Sequence, residues 1–172
     1  LAAPDAKDLA LRAEILLTTS DVLREQGDVA GAKKPLGEAL RDLARARASA
    51  EAEDRARIER LIARALDRFG ARQSAEKALE RALAASPNDK RQAAATVGQI
   101  VGRAFVKNDL SAARDGLGRG LAAELGREDL VYYALWVRFL ERQNKAVGDN
   151  AAEKVLEAAA SDPRWIGRVA SF

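Results

Sequence analysis

Cysteine, histidine and methionine are absent from all 172 residues. With them go disulfides, the usual zinc ligands, thiol nucleophiles and the commonest general base. Catalysis would have to rest on carboxylates, and the candidates Glu51, Glu53 and Asp54, or Glu124 and Glu128, stand in charged stretches or at helix ends. There an acid favours the helix dipole or stays solvated without a catalytic task. The chain is read as non-enzymatic, with no cofactor and no metal; an accessory domain of a larger enzyme stays open. The missing cysteines fit a reducing or an oxidising compartment equally.

Aromatics are only 5% of the chain and prolines number four, while alanine is abundant and arginine outnumbers lysine. Such proportions suit helices packed closely through small residues and give no support to a sheet. No run approaches the roughly 18 apolar residues of a membrane span, and the N-terminus lacks a signal-like basic and apolar pair. With Leu1 rather than Met at the start, an upstream leader or domain is left open. Charged residues are 32% of the total yet nearly cancel to a net +3, too small a balance to argue for nucleic acid. Acids are interleaved with the arginines and no aromatic stands among them to stack bases, so nucleic-acid binding ranks below protein binding.

What the chain does have is a phrase repeated nearly three times: Gln26-Gly27-Asp28-Val29-Ala30-Gly31-Ala32, Phe69-Gly70-Ala71-Arg72-Gln73-Ser74-Ala75 and Lys107-Asn108-Asp109-Leu110-Ser111-Ala112-Ala113. Each leads to an apolar residue four positions on (Leu36, Leu79, Leu117) and a small one seven on (Ala39, Ala82, Gly120). That is the stripe of an amphipathic helix. Units of this kind cannot bury their apolar faces alone, so they stack and offer a long surface to another molecule.

The periodicity predicts eight helices and a start of a ninth. The first opens at Pro4-Asp5 and breaks at Gly27-Asp28; the second begins from about Val29, or later because Pro35 is tolerated only near a helix start. Ala44 to Arg57 reads as a helix extension or as a turn near Ser49. The third stops at Gly70, the fourth at Ser86-Pro87-Asn88-Asp89, and the fifth at Asn108-Asp109. Gly98 and Gly102 in the fifth, one turn apart, allow a close helix contact rather than a membrane dimer. The sixth runs from about Ser111 to Leu125 and its glycines 116, 118 and 120 should make it the least stable. They mimic part of a dinucleotide fingerprint, but no strand precedes them. The seventh, around Tyr133 and Trp136, is the most apolar, and the eighth ends at Ser161-Asp162-Pro163. After Pro163 a further amphipathic turn carries Trp165, Ile166 and Val169.

These residues resemble the tetratricopeptide repeat family, whose helical hairpins have a small residue early in the second helix, an apolar one four on and a small one seven on. The match is best at Ala75, Leu79, Ala82 and Pro87, good at Ala32, Leu36 and Ala39, and fair at Ala113, Leu117 and Gly120. A weaker fourth unit aligns Trp136, Leu140, Ala152, Leu156 and Ala159. Equivalent alanines are 43, 38 and 39 residues apart, against a family unit of about 34, so the repeats are degenerate. The resemblance implies an all-α fold, an α-solenoid of about four antiparallel hairpins in a right-handed superhelix. Residues 1–172 form a single repeat domain of approximate units 5–48, 50–88, 90–126 and 128–162, with the start of a further helix at 163–172. It also implies a non-enzymatic scaffold for a protein or peptide partner held in a concave groove. A bacterial envelope assembly for secretion, pilus or polysaccharide export is the first expectation, with a periplasmic or envelope location; a cytoplasmic adaptor is the alternative.

In such arrays the first helix of each hairpin lines the groove, which puts Arg57, Arg60, Arg64 and Arg68 there on one helical stripe. Two readings of it stand. An acidic peptide could bind it; or it pairs with the preceding groove helix, with Glu14 beside Arg57, Leu17 beside Arg60, Asp21 beside Arg64, Glu25 beside Arg68 and Arg24 beside Asp67. Arg60, without an acid on either helix, is the residue expected to hold a ligand. The second candidate surface is aromatic. Tyr132 and Tyr133 are adjacent, so one of them faces solvent or a partner, while Trp136 and Phe139 belong mostly to the core. Trp165 is read equally as interface or core.

Overall fold

The repeated phrase turns out to be a helix ending. The computed structural model describes residues 5–85 and 87–162, with only the backbone of Glu53. Within them the chain is all-helical: α1 Ala6–Glu25, α2 Lys33–Ser49, α3 Ala52–Arg68, α4 Arg72–Ala85, α5 Lys90–Val106, α6 Leu110–Ala122, α7 Arg127–Gln143 and α8 Asn150–Ala160. Gly27, Gly70 and Asn108, the pivots of the three phrases, have φ of 86°, 78° and 53°. This left-handed position lets the next residue's N–H reach back to a carbonyl in the last helical turn: Asp28 to Leu23 at 2.8 Å, Ala71 to Leu66 at 2.9 Å, Asp109 to Ala104 at 2.8 Å. The result is a Schellman close, for which glycine and asparagine are the favoured residues. Glu124 and Lys145 take the same conformation after α6 and α7, without a residue type that announces it.

Aspartates start three of the four helices of the second half. Asp89, Asp109 and Asp149 each accept a hydrogen bond from a backbone N–H in the first turn of α5, α6 and α8, satisfying donors that the helix leaves orphaned. Pro35 is tolerated because α2 begins at Lys33, and the Ala44 to Arg57 stretch divides at Ala50, whose backbone is extended between α2 and α3. The sixth helix ends at Ala122, three residues short of the expected Leu125.

The contacts divide the chain into two compact units with the boundary between Ser86 and Pro87. In unit 1, α1 packs with α2 and α3 with α4, and α3 also meets α1 and α2. The triads Ala32, Leu36, Ala39 and Ala75, Leu79, Ala82 are buried at equivalent places in the two pairs. Ser20 donates to the carbonyl of Ala32 at 3.0 Å, tying α1 to the entry of α2.

In unit 2, α5 packs with α6 and α7 with α8, while α5 also meets α7 and α6 meets both α7 and α8. Ala113, Leu117, Gly120 and Ala152, Leu156, Ala159 are buried in the same pattern. The glycines of α6 serve packing. A Cβ on Gly116 would stand 2.7 Å from a methyl of Val101, and one on Gly120 would be 3.1 Å from Leu130, whereas Gly118 faces open space. Residues 163–172, the expected start of a further helix, lie outside the described residues.

Candidate functional site

The first helices of the two pairs in each unit run side by side, in register and parallel. In unit 1 the partners across α1 and α3 are 43 residues apart. Arg57 Nη2 donates to Glu14 Oε2 at 2.7 Å and Arg64 Nη2 to Asp21 Oδ2 at 2.7 Å. The expected partner of Arg68 is corrected: its Nε donates to Asp21 Oδ1 at 2.5 Å and Glu25 is left outside. Arg64 and Arg68 are one turn apart on α3, so a single carboxylate between them accepts from both. Arg24 of α1 donates to the carbonyl of Arg68, at 2.7 Å. Burial works to raise the Asp21 pKa, but the hydrogen bonds and charges of Arg68 and Arg64 outweigh it and hold the carboxyl below its ordinary value. The same hydrogen bond pushes the Arg68 guanidinium up, against a smaller opposing effect of burial.

Three of the four arginines are thus engaged by acids of α1. Arg60, read from the sequence as lacking an acid on either helix, is half-buried and makes interactions of its own. The stripe is a seam between helices.

In unit 2 the corresponding seam is built from glycine and aromatic rings. A Cβ on Gly98 would lie 3.1 Å from Tyr133 Oη and one on Gly102 would lie 3.3 Å from the Trp136 ring. The pair of small residues therefore admits aromatic side chains of α7 against the α5 backbone. Tyr133 is 5% exposed, and its hydroxyl donates to the Ala94 carbonyl at 2.8 Å. Burial, then the nearby Asp129 charge, push its pKa up to about 12 in spite of the Gly98 amide. Phe105 of α5 stacks obliquely on Trp136 at 5.2 Å and on Phe139 at 5.3 Å between ring centroids. Of the adjacent tyrosines, one is buried and the other, Tyr132, is 48% exposed with its ring 4.9 Å from that of Trp136.

Above this seam lies an open groove of about 800 Å³. Ala94, Ala95 and Gly98 of α5 form one side, Tyr132 and Trp136 of α7 the other, and Lys90, Arg91, Glu128 and Asp129 close one end. Because α5 and α7 are parallel, the four charges gather where both helices begin and leave the apolar part as a separate step. The sequence singled out Tyr132 and Tyr133 but missed Lys90, Arg91 and the alanines, and assigned Trp136 to the core. Gly98 meets Tyr133 and Gly102 meets Trp136 at staggers of 35 and 34 residues. Trp165 lies outside the described residues.

Three buried carboxylates were also illegible in the sequence. Glu59 accepts two hydrogen-bond-length contacts from Arg81, at 3.0 and 2.9 Å. Glu141 accepts from Arg114 at 2.9 Å, Arg138 at 3.0 Å and the Asp149 amide at 2.5 Å. Asp42 pairs with Arg12 at 3.4 Å. Each is a joint between helices or between a helix and a loop. Of the acids on which catalysis would have to rest, Asp54 pairs with Lys7 at 3.6 Å and Glu124 with Lys90 at 3.7 Å. Among the described residues there is no cluster of three His, Cys, Asp or Glu that could hold a metal ion, and no helix long and apolar enough to cross a membrane. Set beside known families, curated proteins and solved structures, the chain matches none of them.

Proposed function

We propose that the protein is a non-enzymatic interaction module of tetratricopeptide-like repeats, and that the groove between α5 and α7 receives a segment of a protein partner. The observation that carries this reading is the half-exposed Tyr132 leaning on Trp136 beside the alanine floor of Ala94 and Ala95. Aromatic faces over small residues accept a bulky apolar side chain, and such anchors supply most of the affinity at an interface. At the charged end, Arg91 stands with Lys90, Glu128 and Asp129, a mixed set that suits a polar or charged stretch of the partner beyond its apolar anchor. The all-helical fold, the helix pairs and the buried small–large–small triads support the solenoid reading. A bacterial envelope assembly as the setting rests on the family resemblance and belongs to the same proposal.

The test is affinity capture from the source organism with four baits: wild type, Tyr132→Ala, Ala95→Glu and Arg60→Glu, each checked by circular dichroism. Tyr132 and Ala95 are exposed, so both substitutions should fold. The expected result is a partner captured by wild type and Arg60→Glu and lost by the other two. Equal capture by all four baits overturns the groove as the recognition site.

A further inference from the structure

The face of α1 turned away from its buried residues carries Asp8, Leu11, Ile15, Thr18, Val22 and Glu25, spaced three, four, three, four and three apart. This is the spacing of one seam of a packed helix. Leu11, Ile15 and Val22 are nevertheless 54%, 61% and 44% exposed. Thr18 bends its hydroxyl to the Glu14 carbonyl at 3.0 Å, which spends the polar group on its own helix and leaves the methyl to the stripe.

The internal repeat shows what such a face is for. The stagger of 43 residues between α1 and α3 places Asp54, Ile58, Leu61 and Ala65 at the positions of Leu11, Ile15, Thr18 and Val22. In α3 the last three are buried, at 1%, 8% and 0% exposure, on the side flanked by the arginines that reach α1. Asp54, at the end of that covered stripe, is met by Lys7 of the covering pair at 3.6 Å. The same face is thus sealed by a helix in the second pair of unit 1 and bare in the first.

Charge decides among the occupants. Asp8 and Glu25 cap the two ends of the bare stripe; both are exposed, and neither makes a side-chain hydrogen bond or ion pair among the described residues. A second copy would set Asp8 against Glu25 of its partner in an antiparallel pairing, or like acids against each other in a parallel one, and either arrangement is repulsive. We infer that this face docks an amphipathic α-helix of a protein partner, with an apolar stripe of about three turns and a basic residue beyond each end.

The probe is a synthetic stapled helix bearing leucines at the same three-and-four spacing with a lysine beyond each end, titrated into the whole chain and followed by amide chemical shifts. Saturable binding with shifts confined to α1 is expected. Ile15→Glu should weaken it at least about ten-fold, because one large apolar contact is replaced by a charge. Asp8→Lys with Glu25→Lys should weaken it about three-fold or more, and added salt should weaken binding to the wild type but not to that double variant. No saturation, shifts centred elsewhere, or equal affinity for Ile15→Glu overturns the proposal. Sedimentation equilibrium of the chain alone is run beside it, and a dimer that Ile15→Glu dissociates overturns it in favour of self-association.

Discussion

Two seams in this protein join the same kind of helices by opposite chemistry. Between α1 and α3 the contacts run through long charged side chains, Glu14 to Arg57 and Asp21 to both Arg64 and Arg68. Between α5 and α7 they run through Gly98 and Gly102 against Tyr133 and Trp136. Ion pairs that remain partly open to water contribute little each, but they consume the cations that would otherwise greet a ligand. Aromatic rings laid on glycine stabilise through buried area and contact, and because ring and glycine differ so much in height they leave relief on the surface above. The charged seam is closed and the aromatic seam carries a groove.

The two seams should respond differently to truncation, read by urea denaturation together with hydrogen exchange resolved to each unit. Trp136→Ala should cost unit 2 about 3 kcal/mol, the low end for removing a large aromatic because the ring is only half-buried. Arg64→Ala in unit 1 should cost about 1 kcal/mol, and equal losses for the two would break the contrast. Gly98→Val should cost about 1 to 3 kcal/mol, since its side chain must displace the Tyr133 hydroxyl; Gly118→Ala, facing open space in α6, should instead gain about 0.5 to 1 kcal/mol.

Asp21→Asn comes next, at about 1 to 2 kcal/mol, because two charged hydrogen bonds lose their acceptor. Its sign with pH follows from the depressed pKa. The folded carboxyl holds its proton less tightly than the unfolded one, so the stabilisation is present above the ordinary aspartate value of 3.8 and is lost as pH falls below it. A wild-type chain that loses no more stability in acid than Asp21→Asn would remove this part of the account.

The smallest expected effect is that of Tyr133→Phe, about 1 kcal/mol for the lost bond to Ala94, and its pH sign is the reverse. Unfolded tyrosine ionises near 10 while Tyr133 resists to about 12, so its contribution fades as pH climbs through that interval. The phenolate absorbance present in wild type and missing in Tyr133→Phe should appear near the upper end. Its appearance near 10 would mean that the hydroxyl is not held against α5.

Much of the fold could be read from residue order. The left-handed closes at Gly27, Gly70 and Asn108 need residues that tolerate positive φ, and those residues stand out in the chain. The Ala-Leu-small triads repeat because the second helix of each pair meets the first at short distance. The ion pairs Glu14 to Arg57 and Asp21 to Arg64 were legible from a constant stagger. The exchange of Glu25 for Asp21 was not, because it depends on where two guanidinium groups converge. Glu124 and Lys145 close helices with no residue type to mark them, so the end of α6 was misplaced. The groove was half visible: adjacent tyrosines cannot share a narrow buried stripe, but which of them is buried depends on the hole that Gly98 leaves.

Residue order alone sets the helical class, the helix ends marked by glycine, asparagine and aspartate, and the small positions at which helices meet, since these are local properties of backbone conformation and periodicity. Packing between distant residues sets the rest: Arg57, Arg64 and Arg68 are spent on α1, Tyr132 is exposed while Tyr133 is buried, and carboxylates such as Glu141 are sealed between helices. Those outcomes turn on distances between side chains far apart in the sequence, where a shift of one helical turn changes which charges meet and which surface stays open.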